Sequence, residues 1–400
     1  MSSPFESKIY YLNPYRRELS TYVSEVISEE NGFWHKFEKT IFYPEGGGQS
    51  ADKGWVNDNT VFDVQQKEGN VWHLLADKVS GNVNLSLDWK YRYENMRQHT
   101  GQHLLSAIFK NSFNIDTVSV HLGDQDTLIE LSSTQISHDQ LQKAEDVANE
   151  MIRQNIPINI QWISQNELKD YRIRRDIDNS LQPIRLVFIG DYDCTGCGGT
   201  HVKSTGEIGL IKIFKVEKIR KRIRIHSKIG EAAYRYFIHL VYKTQQISDL
   251  LSSNIDDIPE RITALMNENK ELTKSLKNAI EKWLELLAKQ LSTSDVVGVF
   301  TLPDMNIEQL SRISLYWMER NEQPCFLSSE KEGKRPFVLR CLKNSEKGGR
   351  QFLSQYAQDF HLRGGGDQEF VQGVIEHEEL GEHYFRSLRA TLIDYFDNKG

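Results

Sequence analysis

Two short motifs, far apart in the chain, most constrain how it can fold. One is QHTGQH, which contains His99 and His103, and the other is CTGCGGTH, which contains Cys197 and His201. On a helix, His99 and His103 lie one turn apart and place both imidazoles on one face. Glycines between Cys197 and His201 allow a tight turn. Two ligands from a helix and two from a loop predict a tetrahedral zinc site, which requires the helix and the loop to meet.

The cysteine motif by itself allows other interpretations. Cys194 and Cys197 have the spacing of a thiol redox pair, but the glycine-rich segment after them is a poor start for the helix of a thioredoxin-like site. A zinc peptidase is disfavoured because Thr100 stands where its Glu would follow the first His. Each half of the metal pattern is common without a metal, whereas the two together favour one zinc, with Cys194 as an alternative ligand. Four protein ligands leave open whether that zinc is structural or catalytic.

Length and composition restrict the class of protein. A chain of 400 residues exceeds one ordinary core and predicts several domains. No apolar run approaches the roughly 18 residues of a membrane helix, and the start lacks the apolar core of a signal peptide, so we expect no membrane partner. Four cysteines make a poor disulfide framework and indicate a cytoplasmic protein. A net charge of −7 argues against general nucleic-acid binding, so phosphate would be bound locally.

The pattern along the chain changes three times. Residues 1–90 have short apolar runs between turn signals, which predicts a β-rich domain. Residues 91–235 alternate helical and strand patterns and contain both halves of the metal motif. Residues 236–292 form a helical or coiled-coil linker, and residues 293–400 read as a small α/β domain.

The segment 256–290 has a heptad pattern. Its a and d positions are apolar except for Asn269, and a single Asn at an a position can fix the register of paired helices. The pattern predicts either a homodimer through this helix and the C-terminal domain or a long helix folded back on its own domain. The a positions are Ile262, Asn269, Leu276 and Trp283, and the d positions are Leu265, Leu272, Ala279 and Leu286.

A glycine-rich segment, FYPEGGGQSADKG, is the second informative motif. Three consecutive glycines let the backbone approach a ligand closely, and Gln49 offers both a donor and an acceptor. The segment lacks the Lys-Ser/Thr ending of a phosphate-binding loop. A flexible hairpin loop is the alternative interpretation.

A basic segment, IRKRIRIH, alternates with the period of a strand. The alternation puts Arg220, Arg222 and Arg224 on one face, with Lys221 nearby and isoleucines on the other face. Arginines in line suit the phosphates of RNA. The alternative is a solvated strand face, and we favour RNA binding.

The order of these motifs resembles the alanyl-tRNA editing proteins of the AlaX type and the editing domain of alanyl-tRNA synthetase. FYPEGGGQ-x-x-D-x-G, RQHTGQHLLSA and CGGTHV-x-x-T-G-E-I-G follow one another, and the resemblance covers roughly residues 5–230. It implies hydrolysis of tRNA(Ala) that is mischarged with serine, and sometimes with glycine. It also implies that one Zn²⁺ is held by His99, His103, Cys197 and His201.

The same resemblance implies roles for individual residues. Gln49 resembles the glutamine of the editing pocket, and Thr40 resembles the threonine that meets the seryl hydroxyl. The segment with Arg220, Lys221, Arg222 and Arg224 resembles the one that follows the cysteine motif in the family. Glu45, His121 and the ribose hydroxyl of the substrate are alternative general bases, and the glycine loop would supply oxyanion contacts.

The last hundred residues resemble, more loosely, the C-terminal domain of alanyl-tRNA synthetase, which binds tRNA and promotes dimerisation. RGGGDQEFVQG departs from the family by having Asp367-Gln368-Glu369 where further glycines and Arg-Pro are usual. No aminoacylation domain is recognisable, so we expect the chain to correct charging errors and not to charge tRNA.

Together these features predict an α+β protein. It would contain a β-barrel-like N-terminal domain, a two-layer zinc-containing editing domain with an antiparallel sheet, a long helix, and a small C-terminal α/β domain that binds tRNA or dimerises. The alternative to a deacylase acting on mischarged tRNA(Ala) is a tRNA-binding protein with a structural zinc and no turnover.

Overall fold

The computed structural model has two compact units, residues 1–250 and residues 251–400. Its mixture of antiparallel sheets and helices confirms the predicted α+β class. The finer division into four domains stays a prediction. The structure describes residues 6–123, 126–177, 183–331, 334–376 and 381–397.

The first unit begins with a curled antiparallel sheet. The sheet has the order β4-β3-β7-β1-β2-β6-β5, and its edge strands β4 and β5 are joined by Phe62 alone. The N–H of Phe62 donates to the carbonyl oxygen of Leu74 on β6 at 2.9 Å, so the end of β4 lies beside β6 and the barrel is nearly closed. The elements are α1 (Ile9–Leu12), β1 (Glu18–Glu29), β2 (Gly32–Phe37), β3 (Gly54–Val56), β4 (Asn59–Val61), β5 (Asp63–Lys67), β6 (Asn70–Leu75) and β7 (Asn82–Leu87).

In the rest of the first unit, helices α2 and α3 pack against antiparallel sheets, and helix α4 follows them. One sheet has the order β13-β14-β9-β8 and the other β10-β11-β12. The elements are α2 (Trp89–Phe113), β8 (Thr117–Leu122), β9 (Thr127–Leu131), α3 (His138–Arg153), β10 (Ile158–Ile163), β11 (Ile184–Ile189), β12 (Asp193–Gly196), β13 (Ile211–Ile219), β14 (Arg222–Ile229) and α4 (Glu231–Leu251). Short 3-10 helices cover Gln165–Asp170 and Thr205–Ile208.

Helix α2 is the central element of this part. Its N-cap is Asp88, whose side chain accepts a hydrogen bond from the backbone N–H of Tyr91 at 3.1 Å, and it ends at Asn114 in the left-handed conformation. Residues 98–109 are buried throughout. A helix that is buried on all sides holds its side chains in fixed positions, which suits a site built on it.

The second unit contains the long helix and one mixed sheet. The sheet has the order β15-β16-β17-β19-β18, in which β15 and β16 are parallel and the other pairs antiparallel. The elements are α5 (Ile258–Gln290), β15 (Gly298–Pro303), α6 (Ile307–Asn321), β16 (Cys325–Glu330), β17 (Pro336–Arg340), α7 (Gly349–Tyr356), β18 (Leu362–Gly366), β19 (Phe370–Ile375) and α8 (Glu382–Asp397), with a 3-10 helix at Ile255–Asp257.

Most of the predicted seam of α5 is exposed. Leu272, Leu276 and Leu286 are each about three-fifths exposed, whereas Leu284 and Ala288 are the buried residues of this helix. The homodimer stays a prediction. In the parts of the chain that the structure describes, no helix is long and apolar enough to cross a membrane.

The segment RGGGDQEFVQG forms a hairpin. Strands β18 and β19 pair, and the Asp367 carboxylate accepts from the backbone N–H groups of Glu369 and Phe370 at 2.9 and 2.8 Å. The departure of this chain from the glycine pattern therefore creates a turn that the Asp367 side chain stabilises.

Candidate metal centre

The two halves of the predicted metal site meet in the fold. His99 and His103 project from the buried middle of α2, and Cys197 and His201 lie in the loop that follows β12. Their ligand atoms all lie within 4.8 Å of one another. We call these four residues the His/Cys cluster.

The spacing inside the cluster suits a tetrahedral ion. The Cys197 sulfur lies 3.4 Å from Nε2 of His99 and 3.3 Å from Nε2 of His201. Tetrahedral bonds of about 2.0 Å to nitrogen and about 2.3 Å to sulfur would separate the two ligand atoms by roughly 3.5 Å. The residues present therefore fit a metal with nitrogen and sulfur ligands.

The environment of the cluster favours the protonation states that a metal needs. Burial lowers the pKa of His201 to about 3 and also lowers the pKa of His103, so both imidazoles are neutral. Burial alone would raise the pKa of the Cys197 thiol, but positive charge at the imidazole positions, which a bound metal ion would supply in place of their protons, lowers that pKa well below its usual value. Neutral imidazoles and a thiolate are the ligand forms that bind zinc.

Gln49 orients one of the ligands. Its buried Oε1 accepts hydrogen bonds from Nδ1 of His99 at 2.9 Å and from the backbone N–H of Thr200 at 3.0 Å. Its Nε2 donates to the Thr200 hydroxyl at 2.8 Å. Because Nδ1 of His99 carries the proton, Nε2 presents its lone pair to the cluster. The structure thus brings Gln49 to the cluster, while its role in catalysis stays a prediction.

Thr100 orients a second ligand. Its hydroxyl donates to the carbonyl oxygen of Met96 at 2.8 Å and therefore accepts from Nδ1 of His201 at 3.1 Å. The Nε2 atom of His201 is left with a lone pair that faces Cys197. From the sequence, Thr100 served only to disfavour a zinc peptidase, although its position between the two histidines of QHTGQH was a signal for this role.

We expect Gln49→Ala to weaken zinc binding by about 10- to 100-fold, because a metal-ligating histidine loses the partner that fixes its ring. Competition with a chelating dye on the purified protein measures the affinity. Gln65→Ala is the matched control, because Gln65 lies on β5 and its Nε2 donates to Asp63. An affinity equal to that of the unmodified protein would show that Gln49 does not support the metal site.

Close packing requires glycine at position 199 of the cysteine motif. A Cβ at Gly199 would overlap the ring of His99 and would lie 2.9 Å from Oε1 of Gln49. Any side chain here would displace the ligand or its partner. This close approach explains why glycine stands between Cys197 and His201.

Comparisons with known proteins identify the family. Residues 184–225 match the family described as "Threonyl and Alanyl tRNA synthetase second additional domain". The chain is 29% identical to the alanyl-tRNA editing protein AlaX-L of Pyrococcus horikoshii, over 96% of this chain and 99% of that protein. It is 31% identical to the alanyl-tRNA editing protein Aarsd1 of Bos taurus, over 72% of this chain and 69% of that protein. The chain belongs to the alanyl-tRNA editing protein family.

The resemblance inferred from the three motifs is thereby confirmed. An alanine–tRNA ligase of Methanococcus maripaludis is also similar, with 29% identity over 68% of this chain and 32% of that protein. The family match at 184–225 contains β11, β12 and the loop with Cys197 and His201. In this editing-family chain, the matched segment therefore supplies two of the four cluster residues.

The glycine loop of this family member is a tight turn that points Gln49 inward. Gly46 and Gln49 exchange backbone hydrogen bonds of 3.1 and 3.0 Å, and Gly47 and Gly48 have φ angles of 60° and 84°. Such positive φ angles favour glycine. Glu45, at the start of the turn, is exposed and has no hydrogen bond to the His/Cys cluster among the described residues. Its role as a general base stays a prediction.

Thr40 is buried in the barrel beside a histidine. Nδ1 of His73 donates to the carbonyl oxygen of His35 at 3.1 Å, so Nε2 of His73 accepts from the Thr40 hydroxyl at 2.8 Å. That hydroxyl also accepts from the backbone N–H of Phe42 at 3.1 Å. Within the described ranges Thr40 makes no hydrogen bond to the cluster, and its hydroxyl retains one acceptor lone pair. Its predicted contact with the seryl hydroxyl stays a prediction.

His73 should make the barrel sensitive to acid. Burial lowers the pKa of His73 to about 3, whereas a histidine in an unfolded chain titrates near 6.5. Between these values the unfolded state binds more protons, so this contribution to stability is fully present above about pH 6.5 and is lost as the pH falls toward 3. We expect the unmodified protein to lose about 2 kcal/mol more than His73→Gln between pH 7 and pH 5. Urea unfolding at both pH values measures this; parallel losses would refute it.

The basic segment is a hairpin. Strand β13 ends at Ile219 and β14 begins at Arg222, so Arg220 and Lys221 form the connecting turn and Arg220 has a φ of 55°. The expectation of one continuous strand is therefore wrong. Arginines stand at every second position from Arg220 to Arg224, so the sequence pattern alone does not show where β13 ends and β14 begins.

The remaining arginines of this segment are ion-paired. Arg224 lies 2.6 Å from Glu130 of β9, and Arg222 lies 3.5 Å from the same carboxylate. Alternation on β14 is as predicted, since Ile223 and Ile225 are buried on the opposite face. The contact with Glu130 partly neutralises this face, and RNA binding by these residues stays a prediction.

Cys194 does not join the cluster. Its side chain packs with Ile163, Ile184 and Leu186, and burial raises its pKa to about 11. A thiol that stays protonated is a poor nucleophile and a poor ligand. The environment therefore disfavours both the redox pair and the alternative ligand considered from the sequence.

Proposed function

We propose that this chain is a zinc-dependent deacylase that hydrolyses Ser-tRNA(Ala) in trans. The observation that carries the proposal is the His/Cys cluster, buried and oriented by Gln49 and Thr100, in a chain of the alanyl-tRNA editing family. An editing deacylase removes a wrong amino acid by cleaving its ester bond to the ribose of the tRNA terminus. Gly-tRNA(Ala) is a second candidate substrate.

Ester cleavage needs an activated water and a stabilised oxyanion. Zinc, when bound, lowers the pKa of a coordinated water to about 7 and polarises a carbonyl group. The chain holds its ligands in the neutral and thiolate forms and fixes the rings of His99 and His201 through their Nδ1 atoms. Four protein ligands form a closed site, so either one ligand yields its position or the cluster organises a reaction beside it.

The glycine loop offers donors for the oxyanion. The backbone N–H groups of Gly47 and Gly48 make no hydrogen bond in the described part of the chain, and both residues are exposed. They directly precede Gln49, which contacts His99. Free backbone donors next to a metal site are the arrangement that stabilises a developing negative charge.

Thr40 is the proposed selectivity residue. Its remaining acceptor lone pair can take a hydrogen bond from a seryl hydroxyl, which an alanyl group lacks. We expect Thr40→Val to lower the rate of Ser-tRNA(Ala) hydrolysis by about 10- to 100-fold and to leave the slow hydrolysis of Ala-tRNA(Ala) unchanged, because one hydrogen bond of about 1 to 3 kcal/mol is lost. Thr60→Val is the control, because Thr60 is exposed on β4.

The proposal is tested by single-turnover deacylation of Ser-, Gly- and Ala-tRNA(Ala) by the purified chain, with zinc content measured on the same sample. Rapid loss of the seryl ester with Ala-tRNA(Ala) spared supports the proposal. If zinc-loaded protein hydrolyses none of the three substrates, the deacylase is excluded and a tRNA-binding protein with a structural zinc remains. Binding of uncharged tRNA(Ala) then measures that alternative.

A further inference from the structure

A cavity of about 630 Å³ opens beside the His/Cys cluster. Cys197 and Gly198 form part of its wall, so the cavity shares a residue with the cluster. Two aromatic side chains, Tyr11 and Trp162, and the cation Arg185 also line it. Its size is in the range of cavities that hold small organic ligands.

Arg185 is the unusual residue of this cavity. It lies on β11, is only 6% exposed, and its guanidinium donates to the carbonyl oxygen of Cys197 at 2.6 Å. Its Nε is buried and has no hydrogen-bond partner. No carboxylate in the described ranges lies within ion-pair distance of Arg185.

A buried guanidinium that has no ion-paired carboxylate is costly, because it has lost its water. A bound anion would offset this cost. Arginine is the side chain best suited to phosphate, since its planar donors match two phosphate oxygens.

The aromatic wall indicates what accompanies the anion. The rings of Tyr11 and Trp162 lie 5.5 Å apart edge to face, and the guanidinium of Arg185 lies 5.4 Å from the Tyr11 ring and 5.9 Å from the Trp162 ring. Unpaired bases of single-stranded RNA are bound by stacking on aromatic and arginine side chains. A guanidinium next to two rings therefore fits a nucleotide better than inorganic phosphate.

We propose that this cavity binds the terminal nucleotide of the acylated tRNA, with its base against Tyr11 and Trp162 and its 5′-phosphate on Arg185. The proposal rests on the deacylase function, because the ester to be cleaved is attached to the ribose of that nucleotide. A base and a phosphate held beside Cys197 bring this ribose to the cluster. Arg185 then contributes to substrate binding and takes no part in holding the metal.

The contacts of Arg185 also permit a purely structural role. The backbone N–H of Cys197 donates to the carbonyl oxygen of Arg185 at 3.1 Å, so the two residues are linked twice. In that case loss of the guanidinium would disturb the Cys197 loop and release zinc. A binding test that depends on the phosphate separates the two roles.

The test is calorimetric titration of the zinc-loaded full chain with adenosine 5′-monophosphate and with adenosine. We expect the monophosphate to bind about 10- to 100-fold more tightly, and Arg185→Gln to remove that difference while zinc content stays unchanged. Arg185→Lys should restore part of it, since the charge remains and the planar donors are lost. Arg153→Gln is the control, because Arg153 is an exposed arginine paired with Glu150.

The aromatic wall is tested separately. We expect Trp162→Leu to weaken both probes by roughly 5-fold or more, because one stacking contact is lost. Trp55→Leu is the control, since Trp55 is exposed on β3. Equal binding of the two probes by the unmodified protein would overturn the proposal, and so would loss of zinc in both Arg185 variants.

The outcome for the cavity is distinguishable from the outcome for the deacylase. Phosphate-dependent nucleotide binding without hydrolysis of any aminoacyl-tRNA would leave the cavity assignment standing and exclude the enzyme. Hydrolysis of Ser-tRNA(Ala) without phosphate-dependent nucleotide binding would leave the enzyme standing and exclude the cavity assignment.

Discussion

Replacing His103 with alanine is expected to remove stoichiometric zinc from the protein and to lower Ser-tRNA(Ala) deacylation by on the order of 10³-fold. The ligand atoms of the His/Cys cluster lie within 4.8 Å of one another, so the loss of one imidazole leaves a three-ligand site open to water. His103 is buried, and no neighbouring side chain in the described ranges offers a replacement ligand. Zinc content and single-turnover rates on one sample measure both effects.

The matched control is His383→Ala, because His383 is exposed on α8 in the second unit. It should retain zinc and activity. Treatment of the unmodified protein with a chelator should reproduce the His103→Ala rate, and added zinc should restore it. Full activity in a zinc-free sample would contradict a role of the metal in the reaction, whereas an inactive but zinc-loaded His103→Ala protein would show that His103 acts in some way other than by holding zinc.

Replacing Asp52 with alanine is expected to lower the free energy of unfolding by about 3 to 5 kcal/mol. Asp52 and Arg92 form an ion pair in which both side chains are almost fully buried. The Asp52 carboxylate also accepts from the backbone N–H of Tyr43 at 2.5 Å, and Arg92 donates to the carbonyl oxygen of Ile41 at 2.6 Å. Without Asp52 the guanidinium stays buried with no anion, which costs more than the pair itself contributes.

Thermal unfolding measures this effect, and the expected loss corresponds to a decrease in Tm of about 6 to 20 °C for a unit of this size. Asp58→Ala is the control, because Asp58 is exposed in the turn between β3 and β4, and its effect should stay within about 0.5 kcal/mol. The double variant Asp52→Ala/Arg92→Met should recover part of the stability. A loss below about 1 kcal/mol in Asp52→Ala would show that water reaches Arg92.

The glycine motif combines a residue that contacts the cluster with a residue that holds the loop in place. The motif FYPEGGGQ-x-x-D-x-G contains two residues with separate tasks. Gln49 contacts the cluster ligand His99, whereas Asp52 anchors the base of the loop to α2 through Arg92. Family motifs of this kind mix site residues with residues that position the site, and burial with a charged partner distinguishes the second kind.

The sequence by itself predicted the four residues of the His/Cys cluster and the elements that carry them. His99 and His103 were found from helical spacing, and Cys197 and His201 from a glycine-rich turn, because both patterns depend only on residues close along the chain. The long helix was predicted over residues 256–290 for the same reason, and it runs from Ile258 to Gln290.

Only the tertiary structure decided which side chains support those ligands. Gln49 is hydrogen-bonded to His99, and the buried cation Arg185 is hydrogen-bonded to Cys197. Each contact joins two segments that are far apart along the chain, so the spacing of residues within one segment does not predict it. The hairpin turn at Arg220 was likewise not predicted, because arginines stand at every second position from this turn into β14. The spacing of residues along the chain determines which face of a helix or strand a side chain occupies. Which side chain it contacts depends on how the barrel, α2 and the sheets pack, and this packing involves residues that are distant in sequence.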